Sequence, residues 1–159
     1  VHRITGARVV LHTHQTWATA LNMLDNNRLV FASQTSAYFH GSVAYDDTYN
    51  AGADTLEEGE RLARKVGNAH TLFMKNHGVL VVGENVAQAF KRLYLLERVC
   101  RTQLLAMSSG ERLAPISDEI IAKLQSPSEH DPHGGGERTR LYFAAMKRVL
   151  DRELPGYEQ

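Results

Sequence analysis

The sequence predicts an α/β layered domain. Short runs of β-branched and aliphatic residues, such as 7–14 and 79–82, alternate with longer segments whose apolar residues recur at helical spacing, such as 86–108. The chain has 159 residues, 43% of them hydrophobic and 23% charged, which suits one domain with its own core. Gly, Asn and Asp punctuate the segments where turns are needed.

Taken in order, residues 7–14 read as a buried strand. Residues 15–24 read as a helix, with Trp17, Leu21 and Leu24 on one face, and Asp25-Asn26-Asn27 as the turn that ends it. A short strand is expected at 29–31, a helical turn at 36–39 and a strand at 42–45, followed by the polar loop DDTYNAGAD. Thr55 is placed to cap a helix over 56–66, with Glu57 and Glu58 in the first turn, where the helix dipole favours acids, and Gly67 as its stop. Strands are expected at 71–75 and 79–82, broken by Asn76-His77-Gly78. A long helix follows over 86–108, its stripe formed by Val86, Ala89, Phe90, Leu93, Leu96, Val99, Cys100 and Leu104, and Gly110 closes it. Ser117 caps a shorter helix through Leu124. This divides the chain into a main part over 1–125, a linker of Gly, Pro and Ser over 126–136, and a C-terminal segment over 137–159 whose helix, over about 137–153, stops before Pro155-Gly156.

Eighteen basic residues balance eighteen acidic ones, so a polyanionic partner such as nucleic acid is not expected. Low net charge does little to keep copies of the chain apart, which allows a homo-oligomer. Cys100 is the single cysteine, no internal disulfide can form, and a cytoplasmic setting fits. The apolar runs are too short to span a bilayer, and no membrane partner is expected. The chain opens without a methionine and enters a strand-like run almost at once, so further residues are expected upstream.

The chemistry is concentrated in histidines. In LHTHQTW, His12 and His14 lie at i and i+2 near the end of a strand, so both project from one face, about 7 Å apart along the chain. Two imidazoles there each need a polar partner, or can share a metal ion. His77 lies at another strand end, in MKNHGVLVVG, beside Gly78, which permits close approach of other groups. Three neutral imidazoles would leave a zinc ion its full charge and an open position. Gln15 and Asn76 flank these histidines and are candidates to hold them by hydrogen bonds. His2 and His70 read as surface or loop residues, His40 as packing or a helix end, and His130 and His133 as solvated linker residues.

The order strand-HTH-Q-helix, then NHG-strand-Gly and a long helix ending near Gly110, resembles the class II aldolase/adducin family, well over 12–107 and more loosely beyond. The resemblance implies a three-layer α/β/α domain around a mainly antiparallel sheet. It also implies a C4 tetramer with the site near a subunit boundary, and a divalent metal, usually zinc, bound by His12, His14 and His77, which makes the main part over 1–125 the metal-binding part of the domain. The implied reaction makes or breaks a C–C bond in a small hydroxy-carbonyl substrate through an enediolate stabilised by the ion. Epimerisation of a sugar phosphate, decarboxylation, or a non-enzymatic adducin-like module are the alternatives. The family's glycine-rich phosphate loop and catalytic acid precede HTH and have no counterpart here, so the likeness is to the C-terminal portion of the family domain. The tyrosine of fuculose-phosphate enzymes is replaced by Ala32-Ser33-Gln34, which points to the aldolase-like branch. Some members place a catalytic tyrosine near the C-terminus, where Tyr142 and Tyr157 lie.

Overall fold

The strands earn their places by carrying apolar residues on both faces. They are β1 (Val9–Thr13), β2 (Val43–Asp46), β3 (Thr71–Met74) and β4 (Gly78–Gly83), joined in the order β1-β4-β3-β2. The structure, a computed structural model, describes residues 1–50, 55–126 and 136–158. Two of the three pairings are antiparallel, β1 with β4 and β4 with β3, in the registers His12↔Leu80 and Met74↔Gly78. The third, β2 with β3, is parallel, because α4 (Leu56–Val66) carries the chain back across the sheet between them. The sheet is therefore mixed but mainly antiparallel.

Alternation of side chains builds the layers. Val9, Leu11, Phe73, Val79 and Val81 face a core formed with Ala18 and Leu21 of α2 (Thr16–Asn22) and Leu93, Leu96 and Val99 of α5 (Val86–Met107). Val10, Leu72, Leu80 and Val82 face the other way, against Leu62 and Val66 of α4. With helices on both faces, the arrangement is α/β/α. α3 (Gln34–Ala37) begins with a capping box from Ser33 to Ser36, and α6 (Asp118–Gln125) with Ser117 accepting from the Ile120 N–H. α7 (Gly136–Glu153) packs along α5.

Three expectations change. A one-turn helix, α1 (His2–Thr5), precedes the first strand and ends at Gly6, whose φ of 69° suits glycine. Residues 29–31 form no strand: the Leu29 N–H donates to Tyr45 Oη (2.9 Å), the Val30 N–H to Gln103 Oε1 (2.8 Å), and the Phe31 carbonyl accepts from the Ile116 N–H (2.9 Å), so side chains and a loop backbone contact, not a neighbouring strand, hold this segment. His70 is not a surface residue. It is half-buried, with its ring centroid 5.9 Å from that of Tyr38 and its Nδ1 3.0 Å from Thr71 Oγ1, and burial pushes its pKa down to about 4. Most of the expected 126–136 linker, with His130 and His133, lies outside the described residues, as do 51–54 of the polar loop. Among the described residues no helix is long and apolar enough to cross a membrane.

Candidate metal centre

β1, β2 and β3 run in one direction and β4 in the other, so the end of β1 and the β3–β4 turn fall on the same edge of the sheet. That edge brings His12, His14 and His77 together. Their ring centroids are 4.9, 4.9 and 4.8 Å apart in pairs, and one nitrogen from each lies within 4.8 Å of the others. His12 and His14 are exposed and His77 is half-buried, so the cluster is open to solutes on one side.

The nitrogens are spaced closely enough to share a ligand. His12 Nδ1–H donates to the Val79 carbonyl at 3.0 Å, which leaves Nε2 with its lone pair. His12 Nε2 and His14 Nε2 are 3.1 Å apart. Two nitrogens bound to one tetrahedral zinc ion at about 2.0–2.1 Å lie roughly 3.3 Å apart, so this pair needs almost no movement to share an ion. Without an ion, one proton between the two nitrogens makes the contact a hydrogen bond. Burial, and then the neighbouring His12 and His14, lower the pKa of His77, which favours the neutral, ligating form.

Gly78 makes this convergence possible. A Cβ there would lie 2.6 Å from the Thr13 carbonyl oxygen, 2.7 Å from a ring carbon of His14 and 3.1 Å from one of His12. The glycine serves close approach; the left-handed backbone in this turn belongs to Asn76, with φ 57°. The donor set and this cradle fit a divalent ion held by His12, His14 and His77.

The flanking candidates sit differently. Gln15 is the N-cap of α2 with no side-chain cap, and its Oε1 is buried without a partner among the described residues. Asn76 is exposed and spends its backbone N–H on the Asn22 carbonyl (3.2 Å). Among the described residues neither amide side chain hydrogen-bonds a histidine. Tyr142 lies on α7 with its ring 5.6 Å from that of Tyr94, and burial pushes its pKa up to about 12. Tyr157 donates to Glu158 at 3.1 Å. Among the described residues neither tyrosine has a ring contact or hydrogen bond with the cluster.

Sequence reasoning passed over several neighbours. The Tyr49 ring centroid is 6.3 Å from that of His77. Buried Asp46 accepts from Arg61 Nη1 at 2.8 Å, and Arg61 also holds Glu58, whose pKa it draws down to about 2. These groups and Lys75 line a small cavity beside His77. Glu97 of α5 accepts from the N–H groups of Trp17 and Ala18, both at 2.9 Å, and so caps the helix that follows HTHQ. Asn22 also went unremarked; the one signal for it is a polar residue four positions after Ala18, next to the apolar Leu21.

The Class II Aldolase and Adducin N-terminal domain matches residues 1–104. A protein of Pseudomonas aeruginosa named as a class 2 aldolase is 32% identical over all of this chain and 61% of its own length. The crystal structure of an aldolase II superfamily protein from Pseudomonas syringae superimposes with a TM-score of 0.84 at 32% identity, over 99% of this chain and 62% of that one. An L-fuculose phosphate aldolase of Methanococcus maripaludis is 26% identical over 64% of this chain and 54% of its own. The chain thus spans about three-fifths of the length of its first two relatives. With the histidine geometry and a family match over most of its length, the chain belongs to the class II aldolase/adducin family.

Proposed function

We propose that this chain is the metal-binding part of a metal-dependent lyase of the class II aldolase type, acting on a small hydroxy-carbonyl substrate. The observation that carries the reading is the convergence of His12, His14 and His77, with 3.1 Å between the first two Nε2 atoms. His12, His14 and His77 would hold a divalent ion, zinc or another of similar preference, whose positive charge would polarise a substrate carbonyl and offset negative charge developing on it. The protein's part is to keep three neutral imidazoles in place and leave one side open. His12 is oriented by the Val79 carbonyl, and Gly78 lets His12 and His14 close on the turn.

Tyr142 and Tyr157 are the candidates this chain offers for moving protons; within one chain the ring of Tyr142 packs against that of Tyr94 between α5 and α7 and Tyr157 donates to Glu158, so in this reading they would serve the site of a neighbouring subunit. The reading includes a cytoplasmic homotetramer with the cluster near a subunit boundary, supported by the exposure of His12 and His14 and by the balanced charge. Light scattering on the purified protein checks the assembly.

Elemental analysis tests the metal. The protein should hold about one divalent ion per chain, and His77→Ala should lose it. An adducin-like interaction module would assemble without an ion and be indifferent to that change. Product analysis on a panel of keto acids and sugar phosphates separates C–C cleavage from epimerisation and decarboxylation.

A further inference from the structure

Asn22 is fully buried at the C-terminal end of α2, with all of its amide hydrogen-bonding directed. Its Nδ2 donates to the Met74 carbonyl and, at 2.9 Å, to the Gly78 carbonyl. Its backbone carbonyl accepts from the Asn76 N–H at 3.2 Å. Its Oδ1 accepts from Asn27 Nδ2 at 2.7 Å, and Asn27 is itself buried, so the amide plane cannot flip. One residue thus binds the β3–β4 turn on both sides of His77, at 74, 76 and 78. The next carbonyl along, that of Val79, is bound by His12.

The opposite end of α2 is held as well. Its first N–H groups end on Glu97, and it begins two residues after His14. The helix is therefore a strut between the two arms of the cluster, one arm continuous with its N-terminus and the other tied to its C-terminus by Asn22. An apolar side chain at 22 would suit the stripe of Ala18 and Leu21 equally well, but would leave the Met74 and Gly78 carbonyls without this donor.

We propose that Asn22 is a positioning residue that sets the His77 turn in register with His12 and His14. The inference rests on the metal reading above, since it assigns Asn22 to the geometry of the ligand set and not merely to folding. Zinc affinity of the full chain, measured by competition with a chromophoric chelator, should fall about 10–100-fold in Asn22→Ala, the loss usual when a group that orients a ligand is removed. Asn27→Ala, which frees the Asn22 amide to turn but keeps its donors, should lose several-fold. Ile121→Ala, a buried truncation on α6, should lower thermal stability and leave affinity unchanged. The visible absorption of the cobalt(II)-loaded protein should shift in Asn22→Ala and not in Ile121→Ala. If Asn22→Ala does not fold, Asn27→Ala decides. Affinity and spectrum in the folded Asn22 and Asn27 variants matching those of Ile121→Ala overturn the proposal while leaving the metal site standing. Failure of the unsubstituted chain to bind zinc overturns the metal reading, and the clamp with it.

Discussion

Two histidines bracket β3, and the strand's two ends use them in opposite ways. His70, just before the strand, is enclosed by Tyr38 and Phe39, and burial together with the charge of Arg92 lowers its pKa to about 4. His77, three residues past the other end, is half-buried and meets two more imidazoles, both of which close on Gly78, where a glycine stands in place of a side chain. The residue type is the same and the separation along the chain is short. What differs is whether free nitrogens converge. At His77 three can point at one place; at His70 the ring is a filler kept neutral by its surroundings. A histidine becomes a candidate ligand through what its neighbours leave vacant.

Gly78→Ala should break this contrast most severely. The added Cβ would lie 2.6 Å from backbone, the Thr13 carbonyl, which cannot rotate away as a side chain can. β1 must move off β4 or the turn must shift, and either displaces imidazoles. Metal stoichiometry should fall from about one ion per chain to near zero. Urea denaturation should show a loss on the order of 1–3 kcal/mol, the usual range for overpacking. An alanine variant that keeps its ion would mean that the close approach at Gly78 does not matter to the site.

His70 sharpens the contrast through pH. Its folded pKa lies below the ordinary value of 6.5, so between about pH 6.5 and 4 the unfolded chain binds a proton that the folded chain does not. Stability therefore rises with pH across that window: this contribution is complete above pH 6.5, declines as pH falls, and levels off below 4. Its size is on the order of 2 kcal/mol after discounting for the ring's residual exposure. Urea midpoints at several pH values should show the slope, and His70→Gln should flatten it without altering metal uptake. A slope equally steep in the variant would place its origin elsewhere.

Local signals and distant partners were unequally legible in the sequence. Thr55 and Ser117 cap the helices they were expected to cap, and Gly110, with φ 80°, sits just beyond α5. These features depend on neighbours within a turn or two, so the amino-acid order alone reveals them. The spacing of His12 and His14 is equally readable, and the place of His77 at another strand end makes it a candidate third ligand; that the three converge is legible only as a possibility, which the family resemblance strengthens, because convergence depends on how β1 and β4 pair. Asn22 and Glu97 escaped notice for the same reason: their partners lie 52–80 positions away. The parallel pairing of β2 with β3 follows from where α4 crosses, which the hydrophobic pattern of either strand does not specify.

The smallest expected effect concerns Asn76, for which sequence reasoning suggested a hand on the histidines. Its φ of 57° and exposure give it another task, turning the chain between β3 and β4. Asparagine tolerates the left-handed region and glycine does so more freely, whereas alanine pays about 1 kcal/mol there. Asn76→Gly should leave stability within about 0.5 kcal/mol, and Asn76→Ala should lower it by about 1 kcal/mol. Both remove the amide, so they separate backbone from side chain: if the turn is the whole of its role, zinc affinity changes little in either. Should both variants lose affinity alike, by the tenfold or more typical of a group that orients a ligand, the amide of Asn76 acts on the cluster after all and the His77 end of β3 has one more anchor than its hydrogen bonds disclose.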